Sequence, residues 1–140
     1  MMTGEIPKFP KISFGLVDVR NVAEAHVKAL QTDEAQGKRF ILYDKSMWMV
    51  EMAQTLAAEF NLNGYSIGTT EAPYCVMKLI ALWDRQAALM VKNWGNRSDL
   101  VNKRSKEVLG IEYRPTEKGL TEFGYSLIEQ GIVPDNRKQK

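Results

Sequence analysis

Tyr74 and Lys78 stand four residues apart, a spacing that places both side chains on one face of a helix. There an ammonium could stabilise a phenolate, the pairing needed by a phenol that gives up a proton. Five tyrosines share this chain with many lysines, so one such pair arises readily by chance. Redox chemistry would also need a nucleotide, and the ten glycines include no GxGxxG or GxxGxxG arrangement. The pair is therefore read as a coincidence of spacing, and no catalytic or cofactor-binding residue is expected. Tyr74, Met77, Trp83 and Arg85 form a second group. Aromatic and methionine side chains with one polar group are the lining of a small-molecule pocket, and they are taken as substrate-pocket candidates against the plainer reading of helix core. His26 is the only histidine and Cys75 the only cysteine. No cluster has metal-ligand spacing, so His26 is expected in a core or interface and Cys75 as an inert thiol. Asp18 and Arg20 flank a strand end, where pairing would lock the turn.

These residues need elements to position them. Phe14 to Val19 is a short apolar run and a strand candidate. Asn21 is a good N-cap for a helix over Val22 to Leu30. Ala23, Val27 and Leu30 share one apolar face of it, and Val22, Ala25 and Ala29 share another. Two apolar faces predict a mostly buried helix, with Glu24 and Lys28 on its wet side. Arg39 to Tyr43 is continuously apolar after its first residue, as in a strand covered on both faces. Ser46 can cap a helix over Met47 to Phe60, whose stripe is Met49, Met52, Ala53, Leu56 and Phe60. A third strand is expected around Tyr65 to Ile67. One long helix is expected from Pro73 to Trp94, and a short strand at Leu100 to Val101. A short helix over Lys103 to Leu109 should close at Gly110, and a last one should run from Pro115 to Gln130 before Gly131. Gly119 and Gly124 lie inside this last helix at roughly 1 kcal/mol each against Ala, so packing must hold it. The order is mixed α/β, and three short strands are too few for a self-sufficient doubly wound sheet.

With 140 residues, 44% hydrophobic and 26% charged, the chain fits a single folded domain with its own core, expected over residues 1–134. Residues 135–140, with Arg137, Lys138 and Lys140, are expected as a flexible basic tail. A net charge of +2 gives no electrostatic reason to propose nucleic acid. Tyr74 to Trp83 is too short and too charged at its end for a membrane span, and Met1 to Pro10 lacks the apolar core of a secretion signal. One cysteine suits a reducing, cytoplasmic setting.

Gly15 to Leu30 reads GLVDVRNVAEAHVKAL. With Gly37 to Ile41, with Asn102, Arg104, Leu109, Gly110 and Ile111, and with the closing PTEKGLTEFGYSLIEQGIVP, it resembles the C-terminal portion of extended short-chain dehydrogenases of the dihydroflavonol-reductase-like, NAD-dependent epimerase group. The likeness runs from about Gly4 to Pro134. Two positions depart from the pattern. Asn21 stands where the family has Asp, a change expected to matter little because either residue caps a helix. Lys103 and Arg104 stand where the family has Ser-Lys, which keeps the charge and changes its geometry.

The resemblance implies the fold of the C-terminal part of a Rossmann-type reductase, with few short strands and four to five helices. It also implies that the Gly-rich turn and the family's Ser, Tyr and Lys lie upstream of the matching segment. The expected function is that of a substrate-side fragment of an NAD(P)-dependent reductase without independent dehydrogenase activity and with no cofactor of its own. The other expectations are a stand-alone module for a small apolar ligand or partner chain, and a complete oxidoreductase built on Tyr74 and Lys78. Strands robbed of a neighbouring sheet would expose edges and apolar faces, which predicts a homo-oligomer, most simply a dimer, or docking on a nucleotide-binding half.

Overall fold

The computed structural model describes residues 1–4, 7–97 and 99–137. The elements in order are β1 (Lys8–Phe9), β2 (Ser13–Leu16), α1 (Val19–Gln31), β3 (Lys45–Trp48), α2 (Met49–Phe60), β4 (Thr70–Glu71), α3 (Tyr74–Ile80), α4 (Arg85–Lys92), α5 (Lys103–Leu109) and α6 (Thr116–Glu129). The α/β class holds. Strands are few: β2 pairs antiparallel with β3, Phe14 opposite Met47 and Leu16 opposite Lys45, and β1 pairs parallel with β4.

The main core forms where α6 lies on α2. Phe60, fully buried, is its centre, with Phe9, Ala53, Leu56, Tyr65 and Ile128 around it. The Tyr125 ring sits 4.8 Å from the Phe60 ring. Gly124 explains how α6 comes so close: a Cβ there would lie 2.6 Å from Phe60 Cε2. Gly119 has the same use, since a Cβ would lie 2.9 Å from Asp18 Oδ2. Packing thus offsets the helix propensity both glycines lose. A second cluster joins Ala25, Ala35, Leu109 and Ile111, with Phe40 and Leu42 against it.

Several local expectations are corrected. The cap of the first helix is Asp18, whose side chain accepts from Arg20 N, and the helix begins at Val19. Only one of its two apolar faces is covered: Ala25 is buried, whereas Ala23, Val27 and Leu30 are exposed. Glu24 and Lys28 form an ion pair at 2.7 Å, and Lys28 Nζ also donates to Gly110 O. His26 is exposed, bonded through Nδ1 to Val22 O. Ser46 lies in β3, and α2 starts two residues late, with Trp48 N donating to Glu51 Oε2. No strand forms at Tyr65–Ile67 or Leu100–Val101; the parallel pair lies at Thr70–Glu71 instead.

The expected long helix from Pro73 to Trp94 breaks between Ile80 and Arg85. Asp84 Oδ1 accepts from Gln86 N and Ala87 N and starts a new helix, the local competition that a short acidic side chain offers helical backbone. This break accounts for six α-helices among the described residues in place of four to five. Asp135 and Arg137 pair through two hydrogen bonds of 2.8 and 2.6 Å, so the start of the tail is locally tied. Lys138 and Lys140 lie outside the described residues.

Candidate functional site

The turn from β2 into α1 is a small ionic knot. Asp18 Oδ1 accepts from Arg20 N and Nε, both at 2.8 Å, and Oδ2 accepts from Arg20 Nη2 at 2.5 Å. The same Nη2 reaches Glu122 of α6 at 2.5 Å. Asp18 is buried, and the Arg20 guanidinium holds its carboxyl down at about 2; Arg20 is pushed up in return by Asp18 and then Glu122. A bidentate arginine in a half-buried setting is the strong form of this interaction. The expected pairing of Asp18 with Arg20 is therefore present, and it joins the turn to the last helix.

Asn21 completes the knot. It is 1% exposed. Its Nδ2 donates to Glu112 O at 2.8 Å, and its Oδ1 accepts from Arg114 N at 2.9 Å. An amide, with one donor end and one acceptor end, satisfies two opposite backbone groups at once. This role was invisible in sequence because the partner segment lies 91 to 93 residues away.

Beside the knot runs an open groove of about 370 Å³ lined by Leu16, Val19, Asp18, Arg20, Gly119 and Phe123, among others. Its walls are mainly apolar, and the charges on its rim are already paired. It can hold an apolar group. Its hydroxyls are those of Thr116, which donates to Asp44 Oδ2, and Ser126, and among the described residues no cluster of three or more His, Cys, Asp or Glu could hold a metal.

Arg39 to Tyr43 was expected as a strand, and no ladder forms there. Its alternate carbonyls are taken by side chains: Arg104 Nη1 donates to Arg39 O, Ser105 Oγ to Ile41 O, and Asn102 Nδ2 to Tyr43 O at 3.2, 3.0 and 2.5 Å. These carbonyls share one edge, as in an extended chain. The backbone groups of Phe40 and Leu42 face the other edge, and no backbone hydrogen bond engages them among the described residues. The segment has the alternation and one covered edge of a strand. On its other edge the next residue, Asp44, donates its N–H to Leu16 O of β2 at 2.9 Å, whereas Phe40 and Leu42 meet no neighbour among the described residues.

Tyr74, Met77, Trp83 and Arg85 all fall on the hairpin of α3 and α4. The Tyr74 ring meets Trp94 edge-on at 5.3 Å. Trp83 is 80% exposed at the turn, with Leu79 and Leu82 also exposed beside it. The four line neither the Asp18 groove nor a second groove beside α5. No hydrogen bond joins Tyr74 to Lys78 among the described residues. Cys75 is a free, exposed thiol on the same hairpin. No helix among the described residues is long and apolar enough to cross a membrane.

No protein-family model matches the sequence, and neither does any curated protein sequence. Solved structures do match. The chain is similar to yeast methylglyoxal/isovaleraldehyde reductase Gre2 complexed with NADPH, with a TM-score of 0.66 and 22% identity over 94% of this chain and 34% of that one. It is similar to Gre2 from Candida albicans, with a TM-score of 0.61 and 21% identity over 93% of this chain and 34% of that one. For gox2253 the TM-score is 0.68 at 19% identity, covering 94% of this chain and 42% of the other. The likeness is one of fold, that of the C-terminal part of Rossmann-type reductases. The chain spans about a third of the length of both Gre2 structures.

Proposed function

We propose that this chain is the substrate-side portion of an NAD(P)-dependent reductase of the extended short-chain dehydrogenase kind, and that by itself it carries no dehydrogenase activity. The observation behind the reading is the pairing of a reductase fold with a bare strand edge at Phe40 and Leu42. A nucleotide-binding portion, on a longer chain or a second one, would add a strand to that edge. Added strands gain main-chain hydrogen bonds along the exposed row. The same contact would cover apolar surface that is now open, including Val19 and Phe123 at the Asp18 groove. Tyr74, Met77, Trp83 and Arg85 then sit on the hairpin that faces substrate. Without such a portion, the edge and the hairpin favour self-association, most simply a two-fold dimer. The dihydroflavonol-reductase-like group is the subfamily proposed, and a cytoplasmic setting goes with it.

The test is a titration with NADPH and NADH read by tryptophan fluorescence and thermal shift, with light scattering for assembly. A site occupied at a hundred times its dissociation constant stabilises by about 2.7 kcal/mol. No shift at millimolar nucleotide, with a dimer or larger species, is expected for the chain alone. Saturable nucleotide binding overturns the reading and returns Tyr74 with Lys78 to consideration as chemistry. A second reading, a stand-alone module for a small apolar ligand, is favoured by the apolar walls of the Asp18 groove.

A further inference from the structure

A second groove lies between the Arg39–Tyr43 segment and α5. Its volume is about 500 Å³, and it is lined by Arg39, Ile41, Val101, Lys103, Arg104, Glu107 and Val108. Three of these are cations and one is an anion, so the lining carries +2, as much as the whole chain's formal net charge. The cations are poorly matched with acids. The Arg39 guanidinium has no hydrogen bond or ion pair among the described residues, whereas Arg20, Arg97 and Arg137 all meet carboxylates. Arg104 Nη1 donates to the Arg39 carbonyl at 3.2 Å and to no acid. That bond fixes one edge of the guanidinium and leaves its other donors free. Lys103 meets Glu107 only at 3.6 Å, with both side chains exposed, a pairing that contributes little. Ile41, Val108 and the largely exposed Val101 supply the apolar part of the lining, its floor.

We propose that this groove binds an organic phosphate monoester, its phosphate on Arg39, Arg104 and Lys103 and its apolar or aromatic body on Ile41, Val101 and Val108. Charge selects the headgroup. A phosphate monoester carries about −1.5 to −2 near neutral pH, which matches the lining, whereas a carboxylate would leave it positive. Guanidinium forks suit phosphate oxygens, which accept two parallel hydrogen bonds. The volume falls within the range of small-ligand sites. The groove shares the Arg39–Tyr43 segment with the edge on which the reductase reading rests, but none of its residues belongs to the hairpin or to the Asp18 groove.

Calorimetric titration of the chain with phenyl phosphate at low salt, beside inorganic phosphate, tests the proposal. Saturable one-to-one binding of phenyl phosphate, tighter than that of inorganic phosphate, is expected. Arg104→Gln should weaken it about tenfold or more, the scale of a lost hydrogen bond to a charged group. Glu107→Gln should tighten it by removing the one acid. Should Arg104→Gln fail to fold, Val101→Asp, at an exposed position, puts a carboxylate on the floor and should abolish binding. Absence of saturable binding overturns the site. Equal affinity for inorganic phosphate removes the apolar floor from it, and binding unchanged in Arg104→Gln or Val101→Asp places the anion elsewhere.

Discussion

Asn21→Asp is the smallest change that separates two accounts of the β2–α1 turn. If Asn21 were a helix cap, aspartate would serve as well. In the structure it is a buried clasp between two backbone groups, and aspartate can fill only half of it. The acceptor bond from Arg114 N, now 2.9 Å, survives. The donor bond to Glu112 O, now 2.8 Å, is lost, and a carboxylate oxygen then faces that carbonyl. The Glu24 carboxylate, 3.4 Å from Asn21 Nδ2, adds a second negative neighbour. The Glu24 acid is drawn down chiefly by Lys28 and least by the Arg114 side chain, and these cations offset part of this. A buried group left without its partner costs about 1–3 kcal/mol, and more when charged, so a loss of about 3 kcal/mol is expected at pH 7. At this chain length that is a drop of roughly 10 °C in Tm.

The pH dependence gives the sign. Burial and the acidic neighbours raise the folded-state pKa of the new carboxyl above its unfolded value of about 3.9. The folded state then binds the extra proton, and the deficit shrinks as pH falls through the folded pKa towards about 4. A protonated acid can donate to Glu112 O while accepting from Arg114 N. Urea unfolding of both proteins at pH 7 and pH 4.5, compared as differences, reads this directly. Equal stability at pH 7, or a deficit that does not shrink at pH 4.5, would refute the clasp.

Other consequences follow from the same contacts. Asp18→Asn removes a carboxyl held at about 2 against an ordinary 3.8; at 1.36 kcal/mol per pKa unit, discounted because Arg20 is half exposed, the loss is about 1–2 kcal/mol by urea unfolding at pH 7. Its folded pKa is depressed, so the parent keeps this stability above 3.8 and loses it as pH falls towards 2, and the variant's own curve should be flatter in that window. Gly124→Ala should lower stability by about 1–3 kcal/mol in a thermal melt despite Ala's better helix propensity, because the new methyl would meet Phe60 at 2.6 and 2.8 Å. Cys75, exposed on α3, should react fully with a thiol reagent in the native protein, and an absorbance trace needing denaturant to reach one thiol per chain would contradict its placement.

The sequence already disclosed features whose causes are local. The stripe on α2, the closing glycines Gly110 and Gly131 with φ of 59° and 70°, the Asp18–Arg20 pair and the α/β order all depend on neighbours within a turn or two. Where local signals compete, sequence reading fails. Apolar spacing carries straight through Pro73 to Trp94, but Asp84 captures two backbone N–H groups and divides the helix. Asn21 and Asp18 are both good caps, and only the path of the chain chose Asp18.

What the sequence determined by itself is which segments carry an apolar face and which carry charge, because side-chain chemistry and the helical and strand periods are properties of consecutive residues. Only the tertiary structure decided which of those faces are covered. Phe40 and Leu42 pack inward while their backbone groups meet no partner among the described residues, the hairpin of α3 and α4 stays exposed, and Asn21 closes on a segment more than ninety residues on. The physical reason is that burial and hydrogen-bond satisfaction are settled between distant segments, and a residue's type does not name its partner.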